Sequence, residues 1–177
     1  MTPPDRLTPA EPDIEVRRPP SQLNQLLVPS SILKLTLSGL RSYVPVEGLC
    51  YWYGRELDKQ LGVVLVAAFP RIYSTDVSFE LMPGQMSQLT TWSAREELWL
   101  LAQVHTHPTD EPHSHADEEW SPTHREGFIS VVIPFGAQFS DNRQPHFRVF
   151  ECNSEGKWSD APNNRVHIFD DVWLPAK

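Results

Sequence analysis

The sequence predicts an α/β domain with one mixed β-sheet flanked by helices. Three strand-length apolar runs, 61–69 (LGVVLVAAF), 98–104 (LWLLAQV) and 128–134 (FISVVIP), lie in both halves of the chain. Segments with helical spacing lie between them, and that alternation is the pattern of helices packed on a single sheet. The chain has 177 residues, 40% hydrophobic and 21% charged, which is enough for one domain with a real core.

Residues 1–27 are rich in proline and charge, with Pro3, Pro4, Pro9, Pro12, Pro19 and Pro20. Such a segment buries too little apolar area to offset its chain entropy, so it is expected to be an extended or mobile arm, with the domain proper spanning 28–177. Pro29-Ser30-Ser31 has the form of a helix start, with a serine cap before Ile32. Over 32–43 the periodicity is divided: Leu33, Leu37 and Leu40 fit one helical face, while Leu33, Leu35 and Leu37 alternate as in a strand. Pro45 and Gly48 then break the regular backbone, and 49–53 is an apolar, aromatic strand. The run 61–69 should pair with it. Residues 70–84 form a long mixed connection, and 85–96 a helix with Met86, Leu89 and Trp92 on one face. After the strands at 98–104 and 128–134 comes a polar loop, 136–145. Residues 146–152 alternate as a strand, 153–156 form a turn, and Lys157-Trp158 returns as a hairpin. A short last strand covers 165–169.

The whole-chain composition excludes several classes. A net charge of −8 opposes non-specific nucleic-acid binding. No apolar run nears the length of a membrane span, and the N-terminus shows no apolar leader, so a cytoplasmic location is expected. The two cysteines, Cys50 and Cys152, sit in apolar or strand-like stretches and read as small core residues.

The chemistry is concentrated in 103–120, QVHTHPTDEPHSHADEEW, which holds four of the seven histidines. His105 and His107 follow the apolar run 98–104, in which Gln103 is the one polar residue. Side chains alternate along a strand, so both imidazoles point to one face, and Pro108 ends the ladder. Ser114 and Asp117 have the spacing of an N-cap and the third helical position, and a helix starting there aims Asp117 back toward the strand end. Two His and one carboxylate suit Zn²⁺ with a fourth position open, the pattern of a catalytic site. The same spacing also allows Asp117 to serve only as a capping acid. His113 and His115 flank Ser114 and are alternative ligands. His124, His146 and His167 are scattered. Glu47, at a strand start among apolar neighbours, is a candidate general base, since burial raises a carboxyl pKa. Glu56 and Glu80 are the alternatives, in more polar surroundings.

His105-Thr106-His107-Pro108 followed by Ser114-His115-Ala116-Asp117 resembles the motif of the JAMM (MPN+) metalloprotease family: a distant Glu, His-x-His-Pro, a short loop, then Ser-x-x-Asp. The loop, 109–113, is one residue shorter than is usual there. The stretch 127–137, GFISVVIPFGA, is similar to bacterial members associated with ubiquitin-like conjugation genes, and the resemblance covers about 28–150. It implies a JAMM/MPN-like fold with a helix at 32–43. It also implies His105, His107 and Asp117 as zinc ligands and Glu47 as the residue that activates water and returns its proton to the leaving amine. Ser114 would steady the developing oxyanion. The implied reaction is hydrolysis of a peptide or isopeptide bond after the glycine-ended C-terminal tail of a ubiquitin-like protein, with activating and conjugating enzymes as further partners. The alternatives are a non-catalytic MPN scaffold and a peptidase for a sulfur-carrier precursor. A zinc deaminase would need Pro-Cys-x-x-Cys, which the chain lacks.

Overall fold

The computed structural model describes residues 23–58, 60–75, 78–110, 113–138 and 146–171. Within them the chain forms one α/β domain. Strand β1 (Gln25–Pro29) leads into helix α1 (Ser30–Arg41), then β2 (Leu49–Asp58) and β3 (Leu61–Ala68). A small hairpin, β4 (Ile72–Ser74) and β5 (Phe79–Leu81), precedes α2 (Gln85–Arg95) and β6 (Trp99–Thr106). Helix α3 (His115–Glu119) is followed by β7 (Ile129–Ile133), β8 (Arg148–Cys152), β9 (Trp158–Ala161) and β10 (Val166–Phe169). Eight strands make one mixed sheet in the order β10-β1-β3-β2-β6-β7-β8-β9, and β4-β5 stand apart from it. The pairings β10-β1, β1-β3 and β6-β7 are parallel, and the others are antiparallel.

Strand β2 shows why the sheet is covered on both faces. Its residues Leu49 to Tyr53 are all buried, yet they alternate between two apolar clusters. Cys50 and Trp52 join Leu33, Leu37 and Leu40 of α1 in the larger core, with Val104, Ile129, Val131 and Ile133. Leu49, Tyr51 and Tyr53 face the other way, toward Phe79 and Leu98, with Met86, Leu89 and Trp92 of α2 packed against them. The period of two in β2 thus meets the period of 3.6 in each helix. Helix α1 is pinned by a buried hydrogen bond, Trp52 Nε1 donating to Thr36 Oγ1 at 2.9 Å. It also passes close to Phe69, and a Cβ at Gly39 would collide with that ring.

The expected strands and both longer helices are present, and 49–53 pairs with β3 as expected. The ambiguous stretch 32–43 is helical as far as Arg41, with Ser42 as the C-cap. Four details differ. Residues 1–22 of the expected arm lie outside the described residues, but Gln25 to Leu27 belong to the sheet, because Leu26 and Val28 alternate into the core beside Leu23. The start of α1 has no serine cap. Ser30 Oγ and the Ser31 N–H instead donate to Asp171 Oδ1 at 2.8 and 3.0 Å, so the cap comes from the far end of the chain. The connection 70–84 contains the β4-β5 hairpin. The loop 136–145 begins in a tight turn, Phe135–Ala137, whose three residues all have positive φ, while its stretch 139–145 lies outside the described residues. Cys50 and Cys152 are both buried and free, as a core role requires.

Candidate metal centre

His105 and His107 stand at the C-terminal end of β6, in the middle of the sheet, where β6 lies between β2 and β7. The ladder carries on just past the strand: the His107 N–H donates to Ile133 O at 3.1 Å and its carbonyl accepts from Gly136 N at 2.9 Å. The backbone of His107 is therefore fixed by β7 and the turn after it. Both imidazoles are buried, at 0% and 2% exposure, with their Nε2 atoms 3.1 Å apart.

Asp117 completes the group. Ser114 caps α3 through a capping box: Ser114 Oγ accepts from Asp117 N at 3.2 Å, and the Ser114 N–H donates to Asp117 Oδ2 at 2.6 Å. That box sets the carboxylate direction. Oδ1 lies 3.2 Å from His105 Nε2, and Oδ2 lies 3.2 Å from His107 Nε2. Asp117 is thus both a capping acid and a member of the cluster. Burial alone would push its carboxyl pKa up. The two imidazoles and the Ser114 N–H outweigh that and hold it far below the usual carboxylate range.

Glu47 arrives from the other side, just before β2. Its backbone is clamped by the β4 end of the hairpin: its N–H donates to Thr75 O at 2.9 Å and its carbonyl accepts from Ser74 Oγ. The adjacent Gly48 N–H donates to Thr106 Oγ1 at 2.9 Å, which ties this corner to β6. The Glu47 side chain is 5% exposed, with Oε1 3.9 Å from His107 Nε2. Glu56 and Glu80 are both exposed, on the surface of β2 and β5.

The donor set fits a small divalent ion. Ligand atoms of His105, His107 and Asp117 converge within 4.8 Å of one another, and all three residues are buried. A tetrahedral ion with bonds of about 2.0–2.1 Å separates its donor atoms by about 3.3 Å. The 3.1 Å between the two Nε2 atoms is close to that edge, and each imidazole lies 3.2 Å from one carboxylate oxygen of Asp117, His105 from Oδ1 and His107 from Oδ2. Two imidazole nitrogens, which are borderline donors, and one harder carboxylate oxygen make a set of the kind zinc takes.

His113, the expected alternative ligand, lies beside the group and not in it. Its ring is 4.9 Å from Trp158, 5.0 Å from Phe150 and 5.9 Å from His105 between centroids. Burial in this aromatic slot, reinforced by His105, pulls its pKa down to about 3, so it is neutral at physiological pH. His115 is exposed on α3. His124 Nε2 meets the Glu118 carbonyl at 2.9 Å, away from the cluster. The β4-β5 hairpin, which hydrogen-bonds the Glu47 backbone, is the structured element the sequence did not reveal inside 70–84, since its strands are only three residues each.

No protein-family model matches the chain. The chain is 26% identical over 124 residues to a protein of Sinorhizobium fredii named probable metalloprotease y4jG, covering 66% of this chain and 74% of that relative. In architecture it is similar to the solution structure of protein DSY2949 from Desulfitobacterium hafniense. That likeness has a TM-score of 0.61 and 14% identity, spans 84% of this chain and 95% of the other, and shows the fold alone.

Proposed function

We propose that the chain is a zinc-dependent peptidase of the JAMM type. Its substrate is an amide or isopeptide bond after the glycine-ended C-terminal tail of a ubiquitin-like protein, in a precursor or in a conjugate built by activating and conjugating enzymes. One observation carries the catalytic part: a buried His105–His107–Asp117 group with a second buried carboxylate, Glu47, 3.9 Å from His107 Nε2. The similarity to a relative named probable metalloprotease supports the same reading. The tail specificity rests on the motif resemblance and on access. A cluster this buried admits an extended chain, not a folded surface.

His105, His107 and Asp117 would hold the zinc, which when bound lowers the pKa of water toward neutrality and polarises a carbonyl. Glu47 is not needed as a ligand, because three donors already converge without it. Its Oε1 is placed to take a proton from water and return it to the leaving amine. The clamp of Ser74 and Thr75 on its backbone keeps that carboxylate in place. Ser114 steadies Asp117 through the capping box, and its hydroxyl is the side-chain donor on that flank for charge developing on the scissile carbonyl.

A fusion of a ubiquitin-like protein, ending in glycine and followed by a short peptide, tests the proposal. Cleavage should occur directly after the glycine and slow as that residue is changed to Ala and then Val. Glu47→Gln should keep the zinc and lower kcat by about 10²–10⁴-fold. An intact fusion with zinc-loaded protein would leave a scaffold that binds without cutting. Normal turnover by Glu47→Gln would remove the proposed base.

A further inference from the structure

Beneath the metal cluster lies a buried polar row that the proposed chemistry does not use. Tyr51 of β2 pairs directly with Gln103 of β6, and Gln103 pairs with Ser130 of β7. All three are fully buried, as is His105. Gln103 and His105 are two residues apart on one strand, so their side chains share a face about 7 Å apart along it. Gln103 Nε2 donates to Ser130 Oγ at 3.0 Å, which orients the amide and leaves Oε1 as the acceptor on its other side. Among the described residues, three buried polar atoms of this patch have no protein hydrogen-bond partner: Gln103 Oε1, the Tyr51 hydroxyl and His105 Nδ1.

The chemistry of the three atoms is complementary. If the His105 Nε2 lone pair goes to the ion, its ring proton sits on Nδ1, making Nδ1 a donor. Gln103 Oε1 is an acceptor, and the Tyr51 hydroxyl is either. Burial raises the Tyr51 pKa, so the phenol stays neutral. The flanks of the His105 ring are taken by Phe79, at 5.5 Å, and by His113, at 5.9 Å between centroids. The ring of His107, two residues on along the same strand, is nearer still, at 5.0 Å. A buried water needs two to four polar partners, and these three unpartnered atoms belong to residues that the register places on one face of neighbouring strands.

We propose that Gln103 and Tyr51 are positioning residues for His105, acting through one buried water that accepts from His105 Nδ1–H and donates to Gln103 Oε1 and to the Tyr51 hydroxyl. The network fixes the tautomer and ring orientation with which His105 meets the ion, the task that outer partners of metal-bound histidines perform. It rests on the reading of His105 as a metal ligand.

Competition of zinc against a chelator tests the network, with Tyr51→Phe, Gln103→Leu, Gln103→Glu and His105→Ala compared with the parent. Melting of each metal-free protein is followed beside it. Tyr51→Phe and Gln103→Leu should each weaken zinc binding by about 10–100-fold. The double variant should be no weaker than the worse single one, because both remove the same water. Gln103→Glu keeps an acceptor and should restore most of the affinity, and the cobalt-loaded single variants should show altered visible spectra. Parent-like affinity in either single variant, or effects that add, would overturn the network. If Gln103→Leu does not fold, Tyr51→Phe, which loses one oxygen, decides alone. A His105→Ala protein that loses zinc while Tyr51→Phe and Gln103→Leu keep it removes only the network. One that keeps zinc as tightly as the parent removes the ligand assignment, and the network with it.

Discussion

At the scale of single residues, the site is held together by side chains that each do two things. Asp117 closes the capping box of α3 and points both carboxylate oxygens at imidazole nitrogens. Ser114 caps α3 and stands beside the group. These two tasks can be separated. Ser114→Ala removes a cap acceptor and should cost about 1 kcal/mol of stability in denaturant unfolding. If its hydroxyl also steadies the reacting carbonyl, kcat should fall by as much as about 10²–10³-fold. A destabilised variant with normal turnover would show that Ser114 only caps. Much of this site was legible in the sequence because its parts are local: strand alternation puts His105 and His107 on one face, and a three-residue spacing relates Ser114 to Asp117. Glu47 was harder. It lies far from the histidines in sequence, its candidacy rested on apolar neighbours and a resemblance, and its approach to His107 needed the fold. The Tyr51–Gln103–Ser130 row was not legible at all. Gln103 reads only as a break in an apolar run until β2 and β7 are laid on either side of it.

At the scale of elements, the strong signals were long and periodic. The runs that became β3, β6 and β7 are strand-length and mostly apolar, each broken by at most one or two polar residues before the histidines, and they lie in the middle of the sheet. The hairpin β4-β5 escaped because three residues per strand carry no period, although Ser74 and Thr75 at its end hold the Glu47 backbone. Periodicity could not assign 32–43. Burial of Leu33, Leu37 and Leu40 on one side, with Leu35 exposed, shows the helical face winning. The cap of α1 was invisible because its acceptor, Asp171, lies 140 residues from Ser31. That cap makes a pH prediction. Hydrogen bonds from the Ser31 side chain and backbone and from Ser30 lower the Asp171 pKa to about 2 from an ordinary 3.8. A depressed folded-state pKa gives stability that is present above the unfolded value and lost as pH falls through the folded one. Asp171→Ala should therefore melt below the parent near neutral pH, and the gap should close between about pH 4 and pH 2. A gap that persists unchanged at pH 2 would mean that the carboxylate charge is not what caps α1.

At the scale of the whole molecule, the centre is assembled from distant parts: the corner before β2, the end of β6, the start of α3 and the β4-β5 hairpin. The unfolded chain has no such site, so an ion bound there stabilises the fold. At 100 times its dissociation constant the gain is about 2.7 kcal/mol. Treatment with a chelator should lower the melting temperature, and stoichiometric zinc should restore it. Equal melting with and without zinc would argue against a buried ion between these elements. Eight strands in one sheet give this assembly its rigidity, with β6 near the centre and its histidines at the end of a ladder paired on both sides. Among the described residues no helix is long and apolar enough to cross a membrane. The central claim is that His105, His107 and Asp117 together hold one metal ion. Elemental analysis of the purified protein tests it most directly. The parent should carry about one zinc per chain, and His105→Ala, His107→Ala and Asp117→Ala should each lose it while remaining folded. Zinc retained at the parent's level in His105→Ala would contradict the claim.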